Sequence, residues 1–149
     1  VMMFAFQEFL DGYLETEESA KDFLRVKAVL NVAGSDQKFV LQCVHMLRNQ
    51  GFTEPWGPTE KRENRIIFIG RGMRPRRQEL TEGFKSCIAK PLRFAVGTKI
   101  KAKTGAGEND WESGVVMRHW DEFNAYRLKL HDGGEVHAPM DLDVFVQKA

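Results

Sequence analysis

Two short apolar runs on either side of a turn constrain this chain more than any other feature in it. Val26 to Val32 and Phe39 to Val44 are rich in Val, Phe and Leu, and Ala33-Gly34-Ser35-Asp36-Gln37 lies between them. Runs this short suit strands, because an amphipathic helix needs about ten residues or more. Gly and Asp supply the backbone conformations that a chain reversal demands. The stretch predicts a β-hairpin.

The flanking segments carry helix, loop and strand signals. Phe6, Phe9, Leu10, Tyr13 and Leu14 fall on one face of a helix, which Gly12 weakens slightly. Before them, Val1-Met2-Met3-Phe4 reads as the end of a strand. Ser19 reads as the cap of a short second turn reaching Asp22. The polar stretch Arg48 to Lys61 contains Gly51, Pro55, Gly57 and Pro58 and predicts a long loop, where function often resides. Trp56 in this stretch is a candidate partner contact. Ile66 to Ile69 is wholly apolar and stops at Gly70, so it predicts a central strand buried on both faces. Arg71 to Arg77 reads as a basic, solvated loop. A helix follows, with Leu80, Phe84, Cys87 and Ile88 at helical spacing, Glu79 and Glu82 early, Lys85 and Lys90 late, and Pro91 as its stop.

Several of these motifs, in this order, resemble the C-terminal domain of CobW-type GTPases. RVKAVLNV followed by FVLQCVH is similar to that domain's R-x-K-G-hydrophobic … Q-G-V-H core. PWGPTEKRENRIIFIGR is similar to its next strand and lead-in, and ELTEGFKSCI to its closing helix. The resemblance spans about residues 6–89. It implies an α+β fold: a mainly antiparallel sheet with helices on one face. The family inserts metals into client proteins, with zinc the best supported cargo class. Its catalytic half is not implied here, because G-x-x-x-x-G-K, any Gly-Lys pair and the C-x-C-C metal motif are all absent from the sequence. The chain begins at Val1, so it is expected to be processed or a fragment, with any GTPase half upstream or on another chain. No cofactor or metal is expected in this chain; zinc and GTP enter only by association. Three positions depart from the family pattern: Ala28 and Cys43 stand where Gly is usual, and Gly72 where Asn is usual. An added Cβ closes space, so the two Gly losses predict a relaxed contact with a GTPase half. Pro75 looks inserted.

The candidate contacts in this part of the chain are polar. Arg25 and Lys27 match the family's R-x-K and share one strand face, where acidic partners from a neighbouring strand or a docking domain would serve them. Gln42 reads as a hydrogen bonder on the sheet face. His45 ends the Q-x-V-H motif, but a lone His needs two or three further ligands to hold zinc. Arg71, Arg74, Arg76 and Arg77 are the densest charge cluster, suited to phosphate, an acidic protein surface or anionic headgroups.

The last third changes character. After a linker at 91–96, alternation in Thr98 to Lys103, Val115 to Trp120 and Tyr126 to Leu130, with turns between, predicts a small barrel. The pattern resembles SH3-like barrels of the Tudor type, which bind many different things. Trp111 is expected in its core. Trp120 and Phe123 are the exposed candidates for gripping a cationic or Pro-rich peptide. His131 and His137 flank Asp132-Gly133-Gly134, and a weak chelate there is the less favoured reading.

The organisation expected is therefore 1–90, a CobW C-terminal-like α+β domain; 91–96, a linker; and 97–149, an SH3-like β-barrel. A formal net charge of +1 gives no overall pull toward nucleic acid. No apolar run is long enough for a membrane span. The two cysteines, Cys43 and Cys87, form no C-x-x-C and are expected as thiols in a reducing compartment, the cytoplasm or an organelle stroma or matrix. The function expected is a non-catalytic recognition or regulatory module with a protein partner, derived from a metallochaperone. The alternative is a structural subunit that reuses the domain as a scaffold.

Overall fold

A computed structural model describes residues 1–149, and the chain divides into two compact units, Val1–Ala89 and Lys90–Ala149.

The first unit runs α1 (Met3–Leu14), α2 (Glu17–Ala20), β1 (Phe23–Asn31), β2 (Gln37–Val44), β3 (Leu47–Pro55), β4 (Arg65–Gly70) and α3 (Met73–Ser86). Its sheet has the order β3-β2-β1-β4, and every neighbouring pair is antiparallel. The predicted hairpin is β1–β2, paired Val26 to Cys43, Ala28 to Leu41 and Leu30 to Phe39. All six of these side chains are buried, because a strand sends alternate residues to opposite faces. On that side lie the helices. Phe6, Leu10 and Leu14 of α1 and Leu80 of α3 are buried, and Tyr13 and Phe9 set their rings against Phe23 and Phe68 at 5.4 and 6.2 Å. Burying each large apolar side chain contributes about 1.5–3 kcal/mol before chain entropy opposes it. The fold class is the α+β arrangement expected, with helices on one face only.

Five local expectations are corrected. Val1 to Phe4 is not a strand: α1 begins at Met3, and Val1 alone lies along the end of β1, its ammonium donating to the Asn31 carbonyl at 2.6 Å and its carbonyl accepting the Ala33 N–H at 2.8 Å. The cap of α2 is Thr16, whose hydroxyl accepts from the Ser19 N–H at 3.1 Å while Ser19 returns a bond. Much of Arg48 to Lys61 is strand β3. It is an edge strand of mostly polar residues, so it shows no apolar period; Pro55 ends it, where a missing N–H does no harm. β4 is not central but the opposite edge of the sheet. Its uniform apolarity arises because Ile66 and Phe68 face the helices while Ile67 and Ile69 face outward, 48% and 47% exposed. The basic stretch is not a loop either, since α3 starts at Met73. Pro75 lies in its first turn, where its ring costs no helix bond.

Gly70 and Gly72 make the junction between β4 and α3. A Cβ on Gly70 would come 1.9 Å from the Asp22 carbonyl oxygen, which accepts the Arg71 N–H at 2.9 Å. Gly72 has φ +63, a left-handed value that Asn also tolerates.

The second unit holds β5 (Lys99–Lys103), β6 (Trp111–Asp121), β7 (Asn124–Leu130), β8 (Glu135–Ala138) and β9 (Val146–Lys148). Its antiparallel order is β8-β7-β6-β5-β9, and no pairing joins β8 to β9, so the ladder stays open. Ile100, Val116, Tyr126, Leu128 and Val146 form its core with three alanines. Leu92 and Phe94 pack on that core. Arg93 reaches Asp141 at 2.8 Å and Asp143 at 2.7 Å, tying the predicted linker stretch to this unit.

Candidate functional site

The side of the first sheet away from the helices is uncovered. Strand register places three rows across it: Ile69, Arg25, Val44 and Leu47; Ile67, Lys27, Gln42 and Asn49; Arg65, Val29, Val40 and Gly51. Alternation puts all of them opposite the buried set. Leu47 is 79% exposed, and Ile67, Ile69, Val29, Val40 and Val44 are exposed as well. Six exposed aliphatic side chains on one sheet face, grouped around the polar Arg25, Lys27 and Gln42, suit a surface that meets a partner.

Arg25, Lys27 and Gln42 are thus brought together at the middle of one surface. The ion pairs of this unit use other residues: Lys21 with Glu18, Arg48 with Asp11, Lys38 with Glu54 and Glu60, Arg62 with Asp36, Arg65 with Glu63, Arg76 with Glu79. Arg25 and Lys27 stand in none of them, so the salt bridges from a neighbouring strand expected for them are not made within the chain. His45 sits at the tip of the β2–β3 turn, exposed and with φ +52, and its N–H donates to the Leu24 carbonyl at 3.1 Å.

Trp56 is not a surface contact. It is 8% exposed, its indole N–H has no hydrogen-bond partner, and the Lys38 ammonium lies 5.3 Å above its ring. The arginine cluster divides. Arg76 turns inward, its guanidinium 5.2 Å from the Tyr13 ring and 4.9 Å from the Phe23 ring, and bonds Glu79 at 2.6 Å. It holds α3 against α1 and β1. Burial first, and Glu79 next, push the Tyr13 phenol up. Arg71, Arg74 and Arg77 are exposed.

In the second unit, Trp120 and Phe123 are both half-buried at the β6–β7 hairpin, where Trp120, Glu122 and Phe123 all have positive φ (+54, +50, +65). Trp120 packs against the core of its own unit. Trp111 is half-buried, with the Lys103 ammonium 5.2 Å above its ring. The His137 ring donates its Nε2–H to the Asp121 carboxylate at 3.1 Å, and Arg127 reaches the same carboxylate at 2.9 Å. Together, His137 first, they hold the Asp121 carboxyl below the usual range. His131 is exposed in the turn.

No three His, Cys, Asp or Glu side chains converge anywhere as a metal site would require, so the residues present do not fit a zinc centre. Cys43 and Cys87 are buried free thiols, both pushed up by burial. No helix is long and apolar enough to cross a membrane.

The six exposed aliphatic residues of the open face are what sequence reasoning missed. Their one signal was Ile66 to Ile69, too apolar throughout for a sheet with a single buried face.

A four-stranded antiparallel sheet backed by helices on one side, with this motif order along it, defines a CobW-type C-terminal domain. A family model described as the cobalamin synthesis protein CobW C-terminal domain matches residues 4–88, more than half of the chain, and the chain belongs to that family. Among solved structures, the Zn(II)-bound YjiA GTPase from E. coli is similar, with 24% identity and a TM-score of 0.52. A Zn(II)-bound triple mutant of YjiA GTPase gives 24% and 0.53. Each match covers 60% of this chain and 26% of the GTPase, and at that identity it speaks to the fold alone. A comparison with curated protein sequences returns no match.

The family comparison revises one reading. Ala28 and Cys43, which replace family glycines, are 4% and 1% exposed and point to the helix side. Their side chains fill this unit's own core and leave the open face unchanged.

Proposed function

We propose that this chain is a non-catalytic recognition module, and that the open face of its first sheet receives a protein: a GTPase half or a metal client. The observation that carries the reading is the aliphatic face with Arg25 and Lys27 unpaired at its centre. Removing those aliphatic side chains from water favours association, and two cations without internal partners select an acidic counterpart. Family membership supports a GTPase half as the first partner to try. No G-x-x-x-x-G-K occurs in the sequence, so no nucleotide step is assigned to this chain.

Size-exclusion chromatography of the chain with a CobW-type GTPase half, repeated with Arg25→Glu and Lys27→Glu together, tests the proposal. Co-elution that the double variant weakens about tenfold or more is expected. Co-elution indifferent to the substitutions, or GTP turnover by this chain alone, refutes it.

A further inference from the structure

A second surface lies at the free edge of β4, within the first unit. Between β4 and α3 runs a groove of about 760 Å³. Ile66, Phe68, Leu80, Phe84 and Ile88 give it an apolar floor. Along its helix side stand Arg74 and Arg77, one turn apart near the start of α3, and Lys85 in its last turn, and none of the three is in an ion pair. Arg65, at the strand end of the groove, is paired with Glu63. No carboxylate lines the groove. Glu82, on the neighbouring face of α3, accepts from Gln78 at 3.0 Å.

The two edges of the sheet are treated differently. Protein edges are normally guarded by charge, proline or a covering element, because their unpaired N–H and C=O groups template further strands. β3 is guarded: Arg48 and Gln50 are bonded to Gln7 and Asp11 of α1, and Pro55 ends the strand. β4 carries nothing of the kind between Arg65 and Gly70. An open edge beside a helix, with an apolar floor between them, is the geometry in which an extended peptide adds a strand. Six residues of strand offer about 20 Å of backbone, enough for a segment of five or six residues.

We infer that this groove binds an extended, acidic segment of a partner polypeptide, which pairs its backbone with β4, sets alternate aliphatic side chains on the floor and presents carboxylates to Arg74, Arg77 and Lys85. Charge selects this occupant over a second copy of the chain, whose own β4 edge would bring a second cationic rim against the first. The inference is independent of the open face.

The probe is a fluorescein-labelled decapeptide of alternating valine and glutamate, titrated into the full chain by fluorescence anisotropy. Saturable binding is expected, weakened about tenfold or more by Arg74→Glu with Arg77→Glu, and abolished when lysine replaces glutamate in the peptide. N-methylation of alternate peptide amides, in the register that pairs with β4, abolishes it too without altering the protein. Backbone amide shifts then change in Ile66 to Gly70 and α3, and the Arg25→Glu, Lys27→Glu variant binds as tightly as the native chain. No saturable binding overturns the inference, as does binding that survives the reversed charges or both N-methylated registers, and so does a response confined to phosphatidylserine vesicles.

Discussion

Gly70 shows how much one residue can fix. The start of β1 approaches it so closely that the Asp22 carbonyl occupies the place of a side chain. The obstacle is backbone, not the end of a flexible side chain, so Gly70→Ala must move a strand. It should cost at least about 2 kcal/mol, read as a lower urea midpoint. Tyr126 makes a different residue-scale case. Its ring is buried, its hydroxyl accepts the Phe94 N–H at 3.2 Å, and burial pushes its pKa up to about 12. An unfolded tyrosine titrates near 10. Between pH 10 and about 12 the unfolded chain gives up a proton that the folded chain keeps, so this contribution to stability is complete below pH 10 and is lost as pH rises to about 12. Tyr126→Phe has no such proton. It should be less stable than the native chain by about 1 kcal/mol at pH 8, for want of the hydrogen bond, and the gap should narrow above pH 10 in denaturant melts.

At the scale of elements, the β1–β2 hairpin and both long helices were legible because their periods are set by burial on one side. What escaped was set by position in the sheet. β3 is an edge of mostly polar residues, and a polar edge strand looks like a loop. β4 is an edge with apolar residues on both faces, and such a strand looks central until its neighbours are known. The start of α3 was hidden by arginines and Pro75, which composition alone assigns to a loop. Among the candidate residues, the shared strand face of Arg25 and Lys27 was legible from their two-residue spacing. The burial of Trp56 and the inward turn of Arg76 depend on contacts distant in sequence, with Lys38 and with Tyr13, which no local pattern encodes. The β6–β7 hairpin carries its own strain. Glu122 and Phe123 form its two-residue turn with positive φ, a task suited to Asn and Gly. Glu122 is exposed, and its contact with His137, at 4.0 Å, is too long to matter. Glu122→Asn should therefore raise stability by about 0.5–1 kcal/mol, seen as a higher urea midpoint with unchanged slope.

Across the whole molecule, two antiparallel sheets divide the chain, and only the first belongs to the family that the motifs indicated. Its helices cover one side of one sheet and leave the other side and one edge to the surroundings. The ladder of the second unit stays open between β8 and β9. The likeness to the larger GTPases stops at about a quarter of their length, so the chemistry of those proteins is no part of what the shared fold explains.

The alternation of β4 joins the two surfaces. Ile66 and Phe68 look toward the helix groove, and Ile67 and Ile69 look the other way, from the same six residues of backbone. Any occupant that straightens or twists this strand from one side changes the shape offered on the other. Two such guests are thermodynamically linked: whatever factor the first applies to the affinity of the second, the second applies to the first.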